Sequence, residues 1–165
     1  MTGLDQVVDA FLKAVASHGL DEDLAGEEPA RLGRMLAEVL AARLAWDRHV
    51  GRVVGVDEAR RRLRADSRQA VLRALAEGVL IGWREAGRVV FPEFQFRSRG
   101  GTYPALGQVL PVLRSAGMRP KTLASWCNSP QPELEGRTPI FWLRRDRGQE
   151  PLLQAARHSA GALAR

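Results

Sequence analysis

With 165 residues, 45% of them apolar, the chain is long enough for one or two small domains with a real core, yet it holds no continuous apolar run of about eighteen residues and so no membrane span is expected. The opening MTGLDQVVDAF sets acids on an amphipathic period, unlike a signal peptide, and the lone Cys127 excludes an intramolecular disulfide and fits the reducing cytoplasm. The net charge of +6 is uneven, with four basic and nine acidic residues in 1–47, twelve and six in 48–99, and nine and four in 100–165; a basic body would face a polyanion while an acidic helical end faces elsewhere.

Leu4, Val7, Val8, Phe11, Leu12 and Val15 recur at helical spacing, a stripe that ends near His18 and Gly19. The polar DEDLAGEEP reads as a loop, with Pro29 in the first turn of the next helix. Leu32, Met35, Leu36, Val39, Leu40 and Leu44 form a second stripe ending near Trp46. Residues 1–50 are expected to be a packed helical hairpin; a dimer interface is the other arrangement these stripes allow.

In VVGVDEARRRL, a helix is expected from about Val56, with Gly55 as N-cap and Glu58 in the capping-box position. Ala59 and Leu63 would face inward, with Arg60, Arg61, Arg62 and Arg64 outside. DSRQAVLRALAEG predicts a second helix, capped by Asp66 or Ser67, burying Val71, Ala74 and Leu75 and stopping at Gly78. VLIGWREAGRVVFPEFQF predicts a β-hairpin around Glu-Ala-Gly, ending at Pro92. Helix, turn, helix and hairpin are the plan of a winged helix-turn-helix over residues 51–98. The segment is similar to excisionase- and MerR-like DNA-binding helices, whose pattern is E-A-A-x-x-L-G-V-S-R-Q. It departs from them in lacking the turn glycine, in carrying Arg60 for the second alanine, and in a longer RADS connection.

RSRGGTYP reads as a loop. Thr102, with Pro104 after it, is expected to open a helix carrying Leu106, Val109 and Leu110 that kinks or restarts at Pro111. Another short helix covers residues 121–127, where Cys127, beside Trp126, reads as a small buried apolar residue. It leads into SWCNSPQPELEGRTPIFWLRR, residues 125–145. There Trp126 anchors a helix end, and Pro130 and Pro132 stop that helix. Leu134 returns to the core, Gly136 permits a positive φ, and Thr138 with Pro139 starts a new helix. A last helix from about Glu150 would bury Leu152, Leu153 and Ala156.

The spacing W-x3-P-x3-L-x-G-x2-P, carried here by Trp126, Pro130, Leu134, Gly136 and Pro139, resembles the toxin-binding domain of Xre/MbcA/ParS-type antitoxins. The following apolar helix and the helix opening at EPLLQAA extend the resemblance through residues 99–165. Antitoxins of that family pair with RES-domain toxins, which destroy cellular NAD. The resemblance implies an antitoxin that covers the entrance to such a toxin's active site and represses its own operon, as a homodimer or a toxin–antitoxin hetero-oligomer. The rival reading is a stand-alone helix-turn-helix regulator whose C-terminal domain oligomerises. Both imply a mainly α fold with a small β-hairpin.

For DNA, the second helix of a helix-turn-helix enters the major groove. Ser67, Arg68, Gln69 and Arg73 would meet base edges, while Arg60, Arg61, Arg64, Arg84 and Arg88 would meet operator phosphates. The plain alternative is a solvated face of an arginine-rich protein. For the toxin, the run Ile140, Phe141, Trp142 and Leu143 exceeds one helical stripe, so aromatic surface should be open to a partner. Phe141 and Trp142 would be the contacts, rimmed by Arg144, Arg145 and Arg157. A wholly internal cluster is the alternative. His18, His49 and His158 sit on separate segments without metal-ligand spacing, and no nucleophile elbow, P-loop or dinucleotide fingerprint occurs. No enzyme activity, cofactor or metal is expected.

Overall fold

A computed structural model describes residues 2–20, 23 and 28–163. The protein is mainly helical with one small antiparallel sheet. The chain divides between Leu44 and Ala45 into two compact units. No helix among the described residues is long and apolar enough to cross a membrane.

In the first unit, α1 (Gly3–Ser17) starts in a full capping box, with the Thr2 hydroxyl accepting from the Asp5 amide and the Asp5 carboxylate accepting from the Thr2 amide. α2 (Pro29–Val50) begins at the expected proline and ends a turn beyond Trp46; its last six residues belong to the second unit, where Val50 is a core residue. Of the α1 stripe only Val15 is buried; Leu4 is 72% exposed and Val7, Val8, Phe11 and Leu12 are also open. On α2, Met35, Val39, Leu40 and Leu44 are exposed and Leu32 and Leu36 half-buried. Both helices form where their periodicity places them, but the stripes are not packed away as expected. Two helices alone cannot enclose two stripes; that takes a further layer.

After the end of α2, the second unit continues with β1 (Val53–Gly55), α3 (Val56–Leu63), α4 (Arg68–Ala76), β2 (Trp83–Glu85) and β3 (Arg88–Pro92). β3 lies between the other two strands, pairing Val54 with Phe91 and Trp83 with Val90. Ala86 and Gly87, with φ of 46° and 76°, make a hairpin turn of the kind that matches strand twist. The expected hairpin therefore gains a third strand.

Gly55 caps α3 without a side-chain bond, and Glu58 does not close a capping box. Its carboxylate instead accepts from Arg61 Nε at 3.0 Å and Arg62 Nε at 2.8 Å, and Arg62 also reaches Glu93. Arg62 is thus half-buried rather than on the outer ring. α3 ends in Arg64 with φ 57° and ψ 36°, the left-handed conformation that the excisionase-like pattern assigns to glycine. An L side chain there costs about 1 kcal/mol. Arg64→Gly is accordingly expected to raise the unfolding free energy by up to about 1 kcal/mol in urea titrations. α4 is capped as expected by Ser67, whose hydroxyl accepts from the Ala70 amide at 3.1 Å.

α5 (Pro104–Ser115) is capped by Tyr103; the Thr102 backbone pairs with Phe96 instead. The helix passes through Pro111 without restarting. Pro111 and Gly107, whose carbonyl loses its intrahelical donor, lie on the solvent face, so water can satisfy it. α6 (Pro120–Asn128), α7 (Pro139–Arg144) and α8 (Glu150–Leu163) complete the fold. Between α6 and α7, Leu134 is fully buried, Gly136 takes φ 70°, and the Thr138 hydroxyl accepts from the Phe141 amide at 3.2 Å. Trp126 is buried and its Nε1 donates to Ser159 Oγ on α8 at 2.9 Å.

A small core joins Val54, Ala59, Val71, Leu80, Phe91 and Phe96. The larger one joins Ile81, Trp83 and Phe94 to α5, α6, α7 and α8. The boundary expected between residues 98 and 99 falls inside this shared packing. Cys127 is fully buried, which pushes its thiol up to about 12. Native protein should resist thiol alkylation and react only after unfolding, a contrast readable by mass spectrometry.

Candidate nucleic-acid interface and partner surface

The expected DNA-contacting residues come from α3, α4, β2, β3 and the turn between the two helices, and three of them converge. Arg61 on α3, Arg68 at the start of α4 and Arg88 on β3 line one open cleft of about 590 Å³, with Asp57 and Glu58 on its wall. Arg68 is exposed and its guanidinium pairs with Asp57 at 2.7 Å. That contact holds the side chain in one place while other N–H donors stay free. The Arg61 and Arg62 hydrogen bonds, Arg61's first, keep the Glu58 carboxyl below its ordinary range, so Glu58 remains an anion that offsets Arg61. Gln69 and Arg73 are exposed on α4, and Arg84 is exposed on β2, but none of these lines the cleft. Ser67 spends its hydroxyl on the cap. Arg60 is half-buried, and Arg64 faces another cleft with Arg97 and Gly100.

The expected toxin-contacting residues do not form one patch. Trp142 is only 6% exposed, and its Nε1 donates to the Gly148 carbonyl at 3.0 Å. It is a core residue, which corrects the expectation that it docks a partner. α7 is only six residues long and embedded, so it buries Pro139, Ile140, Trp142 and Leu143 rather than one stripe. Phe141 is the half-exposed member. Its ring lies under three guanidinium groups, those of Arg137 at 5.2 Å, Arg145 at 5.1 Å and Arg147 at 5.8 Å. Arg145, the C-cap of α7, was expected here; Arg137, ahead of the Thr138 cap, and Arg147, beyond the C-cap, were not. Arg144 instead lines a cleft with Arg48 and Arg52. Arg157 stands on α8, paired with Glu150 at 3.3 Å.

The histidines stay apart: His18 contacts the Ala14 carbonyl, His49 contacts Ser125 Oγ at 3.0 Å, and His158 contacts Glu133. Among the described residues, no group of three or more His, Cys, Asp or Glu side chains is placed to hold a metal.

No family model matches the chain, and no curated protein matches it. Among solved structures, the NMR structure of Rv2175c is similar, with 23% identity, a TM-score of 0.56, and a match covering 66% of this chain and 81% of that one. At this identity the likeness shows the fold alone, a mainly helical chain with a small antiparallel sheet.

Proposed function

We propose that the chain is a DNA-binding regulator that docks α4 in the major groove and sets the β2–β3 hairpin against the flanking backbone. The observation that carries this reading is the convergence of Arg61, Arg68 and Arg88, from three elements, on the cleft at the start of α4. Arg68 is the base reader, steadied by Asp57; Arg61 and Arg88 meet phosphates. Arg68→Ala should relax sequence preference by about 1–3 kcal/mol at one base pair, whereas Arg61→Ala should weaken all sequences alike. Equal binding by wild type and both variants in an anisotropy titration is the result that ends this reading. The reading asks no catalysis of the chain and places it in the cytoplasm, with its buried cysteine.

The same reading makes two copies join through residues 1–44. Ten large apolar side chains stand exposed there among the described residues, enough to supply the ~800 Å² per partner of a standard interface. Phe11→Glu is expected to turn a sedimenting dimer into a monomer; a wild type that sediments as a monomer at all concentrations removes this part.

A second reading, the antitoxin, draws support from Phe141 held half-exposed under three arginines in the segment that resembles the antitoxin domain. Here the chain plugs the entrance to a RES-type toxin's NAD site without chemistry of its own. Phe141→Ala should weaken rescue of cells expressing such a toxin encoded beside this gene, and undiminished rescue counts against the surface.

A further inference from the structure

Beyond the helix-turn-helix, the arginines do not stop. The cleft at the start of α4 shares Glu58 and Arg61 with a second opening of about 410 Å³, where Arg64 and Arg97 also stand. That opening shares Arg62 and Ser98 with a third, of about 590 Å³, which holds Arg48, Arg52 and Arg144. A fourth, of about 390 Å³, shares Ser98, Tyr103 and Arg144 with the third and adds Arg99. The four adjoin in series, as a trench.

Charge along it is lopsided. At the α4 end, three arginines face Asp57 and Glu58. Farther along, the acids are Glu93, held by Arg62 and near Arg52 at 3.9 Å, and Asp146. Arg48, Arg97, Arg99 and Arg144 are exposed and have no ion-pair partner among the described residues. Of the trench arginines without an ion-pair partner among the described residues, Arg88 stands in the α4 cleft and the others stand farther along.

The loop that presents Arg97 and Arg99 is braced. Arg97 N–H donates to the Gly101 carbonyl at 2.9 Å, and Gly101 N–H donates to the Arg62 carbonyl at 2.8 Å. A Cβ at Gly100, φ 92°, would stand 2.9 Å from Arg64 Nε, so this loop lies directly on the end of α3. Of the aromatic residues along the trench, Phe94 and Phe96 are buried and Tyr103 is half-buried, so the stacking surface is small beside the number of arginines. Cations with so little stacking surface between them suit phosphates, and a series of adjoining openings suits a polymer rather than a compact phosphorylated ligand.

We infer that this trench is a second, sequence-independent binding site for the phosphate backbone of duplex DNA flanking the site read by α4. The inference rests on the DNA-binding reading above. Full-length protein is titrated with a labelled duplex over a range of salt concentrations. Arg97→Ala with Arg144→Ala is expected to lower the salt slope by about 1.8, two contacts at about 0.9 each, while base preference stays as in wild type. The paired lysine variant, Arg97→Lys with Arg144→Lys, should keep the slope. Arg119→Ala, an exposed arginine outside the trench, should also keep it. An unchanged slope in the paired alanine variant, with Arg61→Ala still lowering it, overturns the trench alone. So does a fall of the same size in Arg119→Ala, which would mark a mere net-charge effect. Failure of the wild type to bind any duplex overturns the DNA reading and the trench together.

Discussion

Trp142→Ala is expected to lower the unfolding free energy by about 3–5 kcal/mol, the range for truncating a buried aromatic side chain. The indole is enclosed by the core that α5, α6 and α8 share, so its removal leaves a cavity that short, braced α7 cannot collapse into. The lost Nε1 bond adds little, because Gly148 is exposed and water can take the donor's place. Measured by urea titration against a total near the usual 5–15 kcal/mol, the variant should be badly compromised at body temperature. Phe141→Ala, one residue away and half-exposed, should cost about 1 kcal/mol. A Trp142→Ala loss under about 1 kcal/mol would mean that the indole is free after all and would restore it as a docking residue.

The second large effect is expected at Gln95, a fully buried polar residue in a turn just after β3. Its Oε1 accepts from the Ile81 amide at 2.9 Å, and its Nε2 donates to the Ile81 carbonyl at 2.8 Å and the Pro92 carbonyl at 3.0 Å. One side chain thereby ties the entry to β2 to the exit from β3. Gln95→Ala leaves those groups without partners in a dry place, at about 1–3 kcal/mol for each one orphaned, and a total on the order of 4 kcal/mol is expected. Hydrogen exchange at Ile81 should speed up more than exchange in α8. Gln95→Met, which restores volume but no hydrogen bonds, should recover little; recovery to wild-type stability would show that packing, not bonding, holds the wing.

Which features were legible follows from their physics. Caps and turns act over three or four residues, so Thr138, Ser67 and Gly136 could be placed from their neighbours alone. The stripes on α1 and α2 gave the helices correctly but not what covers them, because periodicity shows which face is apolar and never its partner. β1 escaped notice since three residues have no period; Val53–Gly55 becomes a strand only by pairing with β3. Gln95 does not stand out in FPEFQF, for nothing local reveals that two backbone segments converge on it. Arg61, Arg68 and Arg88 were foreseen one by one, but their meeting depended on where the hairpin folds back. The mistake at Trp142 came from treating α7 as a surface helix, when α6 and the turn through Gly148 enclose it on further sides.

Because Ile81, Trp83 and Phe94 are wedged among residues of α5, α6 and α8, the wing and the tail helices have no seam between them. A cut at residue 98 would expose raw hydrocarbon on both fragments, and neither half should survive as an independent graft. Chimeras that exchange the helix pair and hairpin must therefore transplant residues 45–163 whole.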